Sequence, residues 1–132
     1  MKNRVKYLIL PVITLILEVL PWGAVCNFAN YTGIAFRETY SYFDLIPFGY
    51  ANFSPFLTAI TTCIIVVFLI IYFFTGKSFA TKTTKVLLYI GIVLSVCPLL
   101  YGVAYYSVVG ALITISLVSE LLMLFTTKSQ KD

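Results

Sequence analysis

Four long apolar stretches occupy most of this 132-residue chain, and they constrain its fold more than any motif does. They cover positions 5–22, 55–74, 86–104 and 106–125. Each is about as long as a helix must be to cross a ~30 Å hydrocarbon core. The chain is 61% hydrophobic and 11% charged, so a soluble domain of this size would leave much of that apolar surface in water. In a bilayer the backbone must satisfy its own hydrogen bonds, which only helices and closed barrels achieve. The runs are too long and too unbroken for the alternation of barrel strands. The expectation is an all-α membrane protein: one domain over 1–132, a four-transmembrane-helix bundle, and a long outer loop over 23–54.

The net charge of +4 is arranged by loop. Lys2, Arg4 and Lys6 precede the first stretch. Lys77, Lys82 and Lys85 lie between the second and third, and Lys128 and Lys131 follow the fourth. The 23–54 segment has a single base, Arg37, against Glu38 and Asp44. Basic residues that alternate in this way place both termini in the cytoplasm of a multi-pass plasma-membrane protein. They suit anionic lipid head groups better than nucleic acid, which is not expected as a partner. The first stretch has the basic start of a signal peptide. Glu18 and Pro21 interrupt its end, however, and no clean small-residue cleavage site follows, so it is expected to stay as an anchor.

The connecting segments carry their own signals. Pro11 lies inside the first stretch, and Trp22 marks its outer interface. Ser54-Pro55 reads as a cap with proline at the first helical position. Gly76 reads as a helix stop, followed by a polar connection over 75–85. Gly91 and Ser95, like Gly110 and Thr114, are small residues four apart that let helices approach closely. The 23–54 segment is rich in Phe and Tyr, including Phe28, Tyr31, Phe36, Tyr42 and Tyr50, and should lie against the membrane surface or the bundle. Thr39-Tyr40-Ser41-Tyr42 alternates like a short strand, which leaves room for a small hairpin. Residues 43–51 read as a turn or one irregular helical turn. Asn30-Tyr31-Thr32 and Asn52-Phe53-Ser54 match the glycosylation pattern.

Few residues can carry chemistry. The chain has three cysteines and no histidine. No metal site, cofactor or activated nucleophile is therefore expected, and Cys63 and Cys97 read as small packing groups. Glu18 and Glu120 stand inside apolar stretches, where an unpaired charge is costly and carboxyls usually face a bundle interior. If the first and fourth helices touch, Thr14 and Ser116 fall at the same height, and all four residues could form one polar strip. The neutral acids would then serve as proton carriers. The alternatives are that Glu18 meets interfacial water or Arg37, and that Glu120 reaches Lys128 or another cytoplasmic lysine. In the outer loop Arg37, Glu38, Tyr42 and Asp44 form a candidate interaction patch. The other reading of Arg37-Glu38 is a local ion pair.

The early acid in Leu17-Glu18-Val19 resembles that of small multidrug-resistance transporters, whose likeness implies proton coupling at Glu18. The stretch from Arg37 to Asp44, with Pro47-Phe48-Gly49-Tyr50-Ala51-Asn52-Phe53, most resembles small four-span membrane proteins of Gram-positive bacteria. That likeness implies no particular activity. The leading expectation is a non-catalytic accessory subunit that binds a larger membrane-protein partner or its own copies in the lipid bilayer. The alternative is a small oligomeric proton-linked transporter or channel using Glu18 and Glu120.

Overall fold

The computed structural model describes residues 2–49 and 52–129, with side chains from 3 to 126 in that range. Tyr50, Lys131 and the Lys128 side chain lie outside the described part. The chain is mostly helical. Helix α1 (Lys2–Val19) leads to a hairpin of β1 (Ala24–Ala29) and β2 (Ala35–Tyr40). A single helical turn, α2 (Leu45–Gly49), precedes three long helices: α3 (Ser54–Thr75), α4 (Ser78–Val96) and α5 (Val108–Ser129). Two 3-10 turns, Cys97–Tyr101 and Val103–Tyr105, join the last two.

Three helical segments are long and apolar enough to cross a membrane: 22 residues from Ser54, 24 from Ser78 and 19 from Val108. At most 39% of the residues in any of these windows are buried. The rest present large apolar side chains outward, Val67, Val93 and Ile115 among them. This chemistry is compatible with a membrane location and is hard to reconcile with water. By composition alone α1 stands apart, because its 18 residues include Lys2, Arg4, Lys6 and Glu18.

The four long helices form a ring in which α1 packs on α3 and α5, and α4 packs on the same two. Each helix turns inward a stripe rich in small or polar residues. On α1 the stripe is Tyr7, Pro11, Thr14 and Glu18; on α4 it is Ala80, Thr84, Leu88, Gly91 and Ser95. Spacings of three and four place each set on one face. Small inward residues let backbones approach, as expected where lipid supplies no hydrophobic drive between helices. Gly91 faces Thr61 and Leu117, each close enough to meet an added Cβ at ordinary contact distance. An apolar cluster including Ile65, Leu69, Leu88, Ile113, Leu117 and Leu121 fills the rest of the interior.

Several boundaries differ from the expected ones. α1 stops at Val19 rather than continuing to Trp22, and residues 21–23 turn the chain into β1. α4 starts at Ser78, so the polar connection shrinks to Gly76 and Lys77, and Lys82 and Lys85 lie on the helix. Thr and Lys are adequate helix formers, and their polarity disguised the first turns as a loop. Phe53 precedes α3 without a side-chain cap bond. Ser54 Oγ turns back to Asn52 Oδ1 at 3.4 Å.

Gly76 ends α3 in the left-handed conformation, φ 66°, and its N–H bonds the Tyr72 carbonyl. Arg4 lies against it, donating from Nη1 to the Phe73 carbonyl at 3.2 Å with its guanidinium carbon 5.5 Å from the Tyr72 ring centre. A cation thus satisfies the carbonyl-rich end of α3 and ties it to the start of α1. An alanine Cβ at Gly76 would come within 2.5 Å of that guanidinium. Gly76→Ala should therefore destabilise by about 1–2 kcal/mol from backbone strain alone, with a further loss from the displaced Arg4. Thermal unfolding in detergent checks this, with Arg4→Ala as the comparison.

Candidate functional site

Two features stand out: a polar seam inside the ring, and the hairpin fastened over one end of it. The seam begins at Glu18, which is fully buried. Thr62 Oγ1 donates to its Oε1 at 2.7 Å, while Oε2 has no hydrogen-bond partner among the described residues. One turn further in, Thr14 Oγ1 and Ser116 Oγ meet at 2.7 Å. The first and last helices therefore do touch, at the hydroxyls expected to share a height. One turn beyond Ser116 lies Glu120, 1% exposed, and neither of its carboxyl oxygens has a partner among the described residues. Glu18 and Glu120 stay apart, about two helical turns from each other across the hydroxyl pair.

Glu18 does not take the charged partner that the sequence offered, and the Lys128 side chain offered to Glu120 lies outside the described residues. Arg37 sits on the exposed strand β2, away from the buried Glu18. The described residues supply no partner to Glu120. Lys85 instead lies over the Phe125 ring, 4.4 Å from its centre.

Thr62 was missed by sequence reasoning, though a signal existed. Ser54, Thr58 and Thr62 recur every four residues along α3, and all are buried. Hydroxyls at that spacing line one face of a helix that is otherwise apolar. A second network nearer the hairpin end joins Ser95, Thr114 and Tyr106. Thr114 Oγ1 donates to Ser95 Oγ at 3.0 Å and meets Tyr106 Oη at 2.7 Å.

The hairpin is fastened to the bundle at its base. The Tyr42 N–H bonds the Glu18 carbonyl at 2.9 Å, Ser107 Oγ donates to the Gly23 carbonyl, and Asn52 Nδ2 donates to the Val25 carbonyl at 3.2 Å. The Asn52 amide is thus buried and engaged, whereas Asn30 lies at the exposed tip. Tyr42 is 2% exposed and lies over the seam. An added Cβ at Gly23 would come 2.8 Å from its ring, and one at Gly110 3.1 Å from its hydroxyl. Burial, then the neighbouring Tyr106 and Glu18, pushes the Tyr42 hydroxyl up, so it stays protonated.

The four outer-loop residues grouped from sequence do not form one patch. Tyr42 is inside. Asp44 Oδ1 accepts the Ile46 N–H at 3.1 Å and caps α2. Adjacent strand residues point to opposite faces, so Arg37 and Glu38 do not make the local ion pair. Arg37 stands across from Asn27. Glu38 accepts the Tyr40 hydroxyl at 2.6 Å, which pushes Tyr40 up to about 12. The strand expected at 39–42 is displaced: the hairpin pairs 24–29 with 35–40 in antiparallel register, Phe28 opposite Phe36. Gly33, φ 77°, makes the turn.

No family model, curated protein or solved structure matches this chain. The site must therefore be read from its own chemistry. Cys26, Cys63 and Cys97 are all unpaired. Burial, with Asp44 and Glu38 nearby, pushes the Cys26 thiol up and away from nucleophile behaviour. Among the described residues no group of three His, Cys, Asp or Glu could hold a metal ion.

Proposed function

We propose that this chain is a four-span plasma-membrane protein with both termini in the cytoplasm, acting as a non-catalytic accessory subunit through its outer hairpin. Two points support α1 as the fourth span. Its 18 residues give a helix of about 27 Å, and it turns Ile9, Val12, Ile16 and Val19 outward while Glu18 faces in. Eight of the nine bases, all but Arg37, fall at one end of the ring or in the segments continuing from it, as expected for the cytoplasmic side.

The observation that carries the interaction role is the hairpin itself. β1 is buried at its base, whereas β2 is exposed along nearly all its length. Tyr31, Ile34 and Phe36 stand out from its far half. Among the described residues each strand pairs only with the other, so the hairpin offers an edge and apolar side chains to a strand of a larger membrane protein.

Two measurements test this. In a background with the native cysteines replaced, a cysteine at Tyr31 should react with an impermeant thiol reagent from outside intact cells, and one at Ser129 should not. The reverse labelling would overturn the topology. Ile34→Asp and Phe36→Asp should leave the protein in the membrane but abolish co-purification of its partner. Unchanged co-purification would overturn the role given to the hairpin, and co-purification of a differently tagged second copy would identify the partner as the chain itself.

A further inference from the structure

We infer that the interior seam is a proton path, with Glu18 and Glu120 as its two proton-binding groups and the Thr14–Ser116 hydroxyl pair as the relay between them. Three buried carboxyl oxygens have no hydrogen-bond partner among the described residues, Oε2 of Glu18 and both oxygens of Glu120. Buried polar atoms without partners are rare in folded proteins, and intramembrane carboxyls mark ion and proton pathways. An ionised carboxylate without a counter-charge is too costly here to be a resting ornament. Two such groups, on different helices and flanking a bonded hydroxyl pair, form a line. Glu18 lies about 6 Å along α1 from Thr14, and Glu120 about 6 Å along α5 from Ser116, on the opposite side.

The local hydrogen bonding accommodates a proton at Glu18. Thr62 has one hydroxyl proton and two acceptors within reach, Glu18 Oε1 at 2.7 Å and the Thr58 carbonyl at 3.1 Å. With Glu18 ionised, Thr62 donates to it. With Glu18 protonated, Thr62 turns its proton to Thr58 and accepts from the acid. Both states are served without moving a helix. The relay pair has the same property: Thr14 donates to the Leu10 carbonyl at 3.0 Å, and either hydroxyl can donate to the other.

The ligand is a proton rather than a metal ion, because each level supplies a single carboxyl and no metal-binding cluster exists among the described residues. Other titratable groups lie near the seam. Around Glu18 they are Cys63 on α3 and Tyr42 from the loop, with Tyr106 beyond. Towards the cytoplasmic end, Tyr7 of α1 is packed edge-on to Tyr72 of α3, and Lys85 of α4 is laid on Phe125.

In one transfer the O–H bond of Glu18 breaks and its electron pair remains on the carboxylate. On each side a water molecule at the unpartnered carboxyl oxygens bridges the ~6 Å of helix between acid and hydroxyl, and each water and each hydroxyl takes one proton and passes on another. An O–H bond then forms on Glu120. One positive charge moves inward, and nothing is oxidised or reduced.

The test uses the full chain in liposomes with a trapped pH-sensitive dye and valinomycin to hold the potential at zero. After an external acid jump, the lumen should acidify faster than in protein-free liposomes. Glu18→Gln and Glu120→Gln should each slow that rate about tenfold or more, since glutamine cannot release a proton. Glu18→Asp should restore part of it. Infrared spectra in nanodiscs should show carboxylic-acid bands that titrate with pH, one lost in each glutamine variant. Thr14→Val and Ser116→Ala should slow flux while leaving both bands in place, which separates loss of the relay from loss of the fold. A wild-type rate equal to that of protein-free liposomes would overturn the proposal. So would wild-type rates in both glutamine variants, or in both hydroxyl variants.

Discussion

Ile115→Lys is expected to cost about 2.5–3.5 kcal/mol of membrane insertion, the penalty for a lysine near the centre of a spanning helix. Ile115 is 60% exposed and lies near the middle of α5. The described residues leave most of it uncovered, so the surroundings must cover it, and the surroundings decide the result. Facing water, the same change would fall within about 0.5 kcal/mol of neutral and would improve solubility. Facing lipid, the lysine must stretch toward a head group or drag water inward. The readout is the inserted fraction in a translocation assay together with membrane yield in cells. Wild-type insertion of the Ile115→Lys protein would mean that the outward apolar surface of α5 does not face lipid.

Leu117→Ala, two residues further along the same helix, should fail for the opposite reason. Leu117 is fully buried, in the apolar cluster with Ile113, Leu88 and Ile65. Truncating a buried leucine typically costs about 2–5 kcal/mol, part from transfer and part from the cavity. In a bilayer the separated helices are still solvated by lipid tails, so the transfer part largely vanishes and the lost packing remains. The expectation is therefore the low end, about 2 kcal/mol, with insertion unaffected. Gly91 provides an internal control. An added methyl there would sit 3.7 Å from Leu117 Cδ1 and 3.6 Å from Thr61 Cγ2. Gly91→Ala alone should be tolerated, and it should recover part of the loss in the Leu117→Ala background. Unfolding of the purified protein by steric trapping in bicelles measures both effects. Equal costs for Leu117→Ala and Ile115→Ala would contradict the assignment of inward and outward faces.

Much of the candidate seam was legible in advance. Glu18 and Glu120 are conspicuous in any apolar run, because charge there is expensive enough to need a reason. Their helical offsets placed Thr14 and Ser116 at one height, and the two hydroxyls do bond. What the offsets could not supply was the third helix. Thr62 serves Glu18 only because α3 runs antiparallel beside α1, a relation set by packing around the whole ring. The same limit explains Tyr42. As a string of letters it belonged with Arg37 and Asp44 on a surface. Its burial depends on Gly23 and Gly110, far apart in the chain, leaving a gap that fits one ring.

The hairpin divides the two kinds of information most clearly. Loop composition indicated an ordered segment, since so many rings and so few charges disfavour disorder. Register is a different matter, because it is chosen by pairing energy between segments and by the turn between them. The Phe28–Phe36 ring contact at 5.5 Å and the left-handed Gly33 select 24–29 against 35–40, and neither can be weighed until both strands are present. The sequence by itself determined the apolar lengths, the basic asymmetry between the two ends and the positions of the buried acids. Those properties depend on transfer free energies of single residues and short windows. Tertiary structure alone decided which helix meets which, where Arg4 anchors and what covers Glu18, because each depends on the shape of surfaces that exist only after the ring has closed.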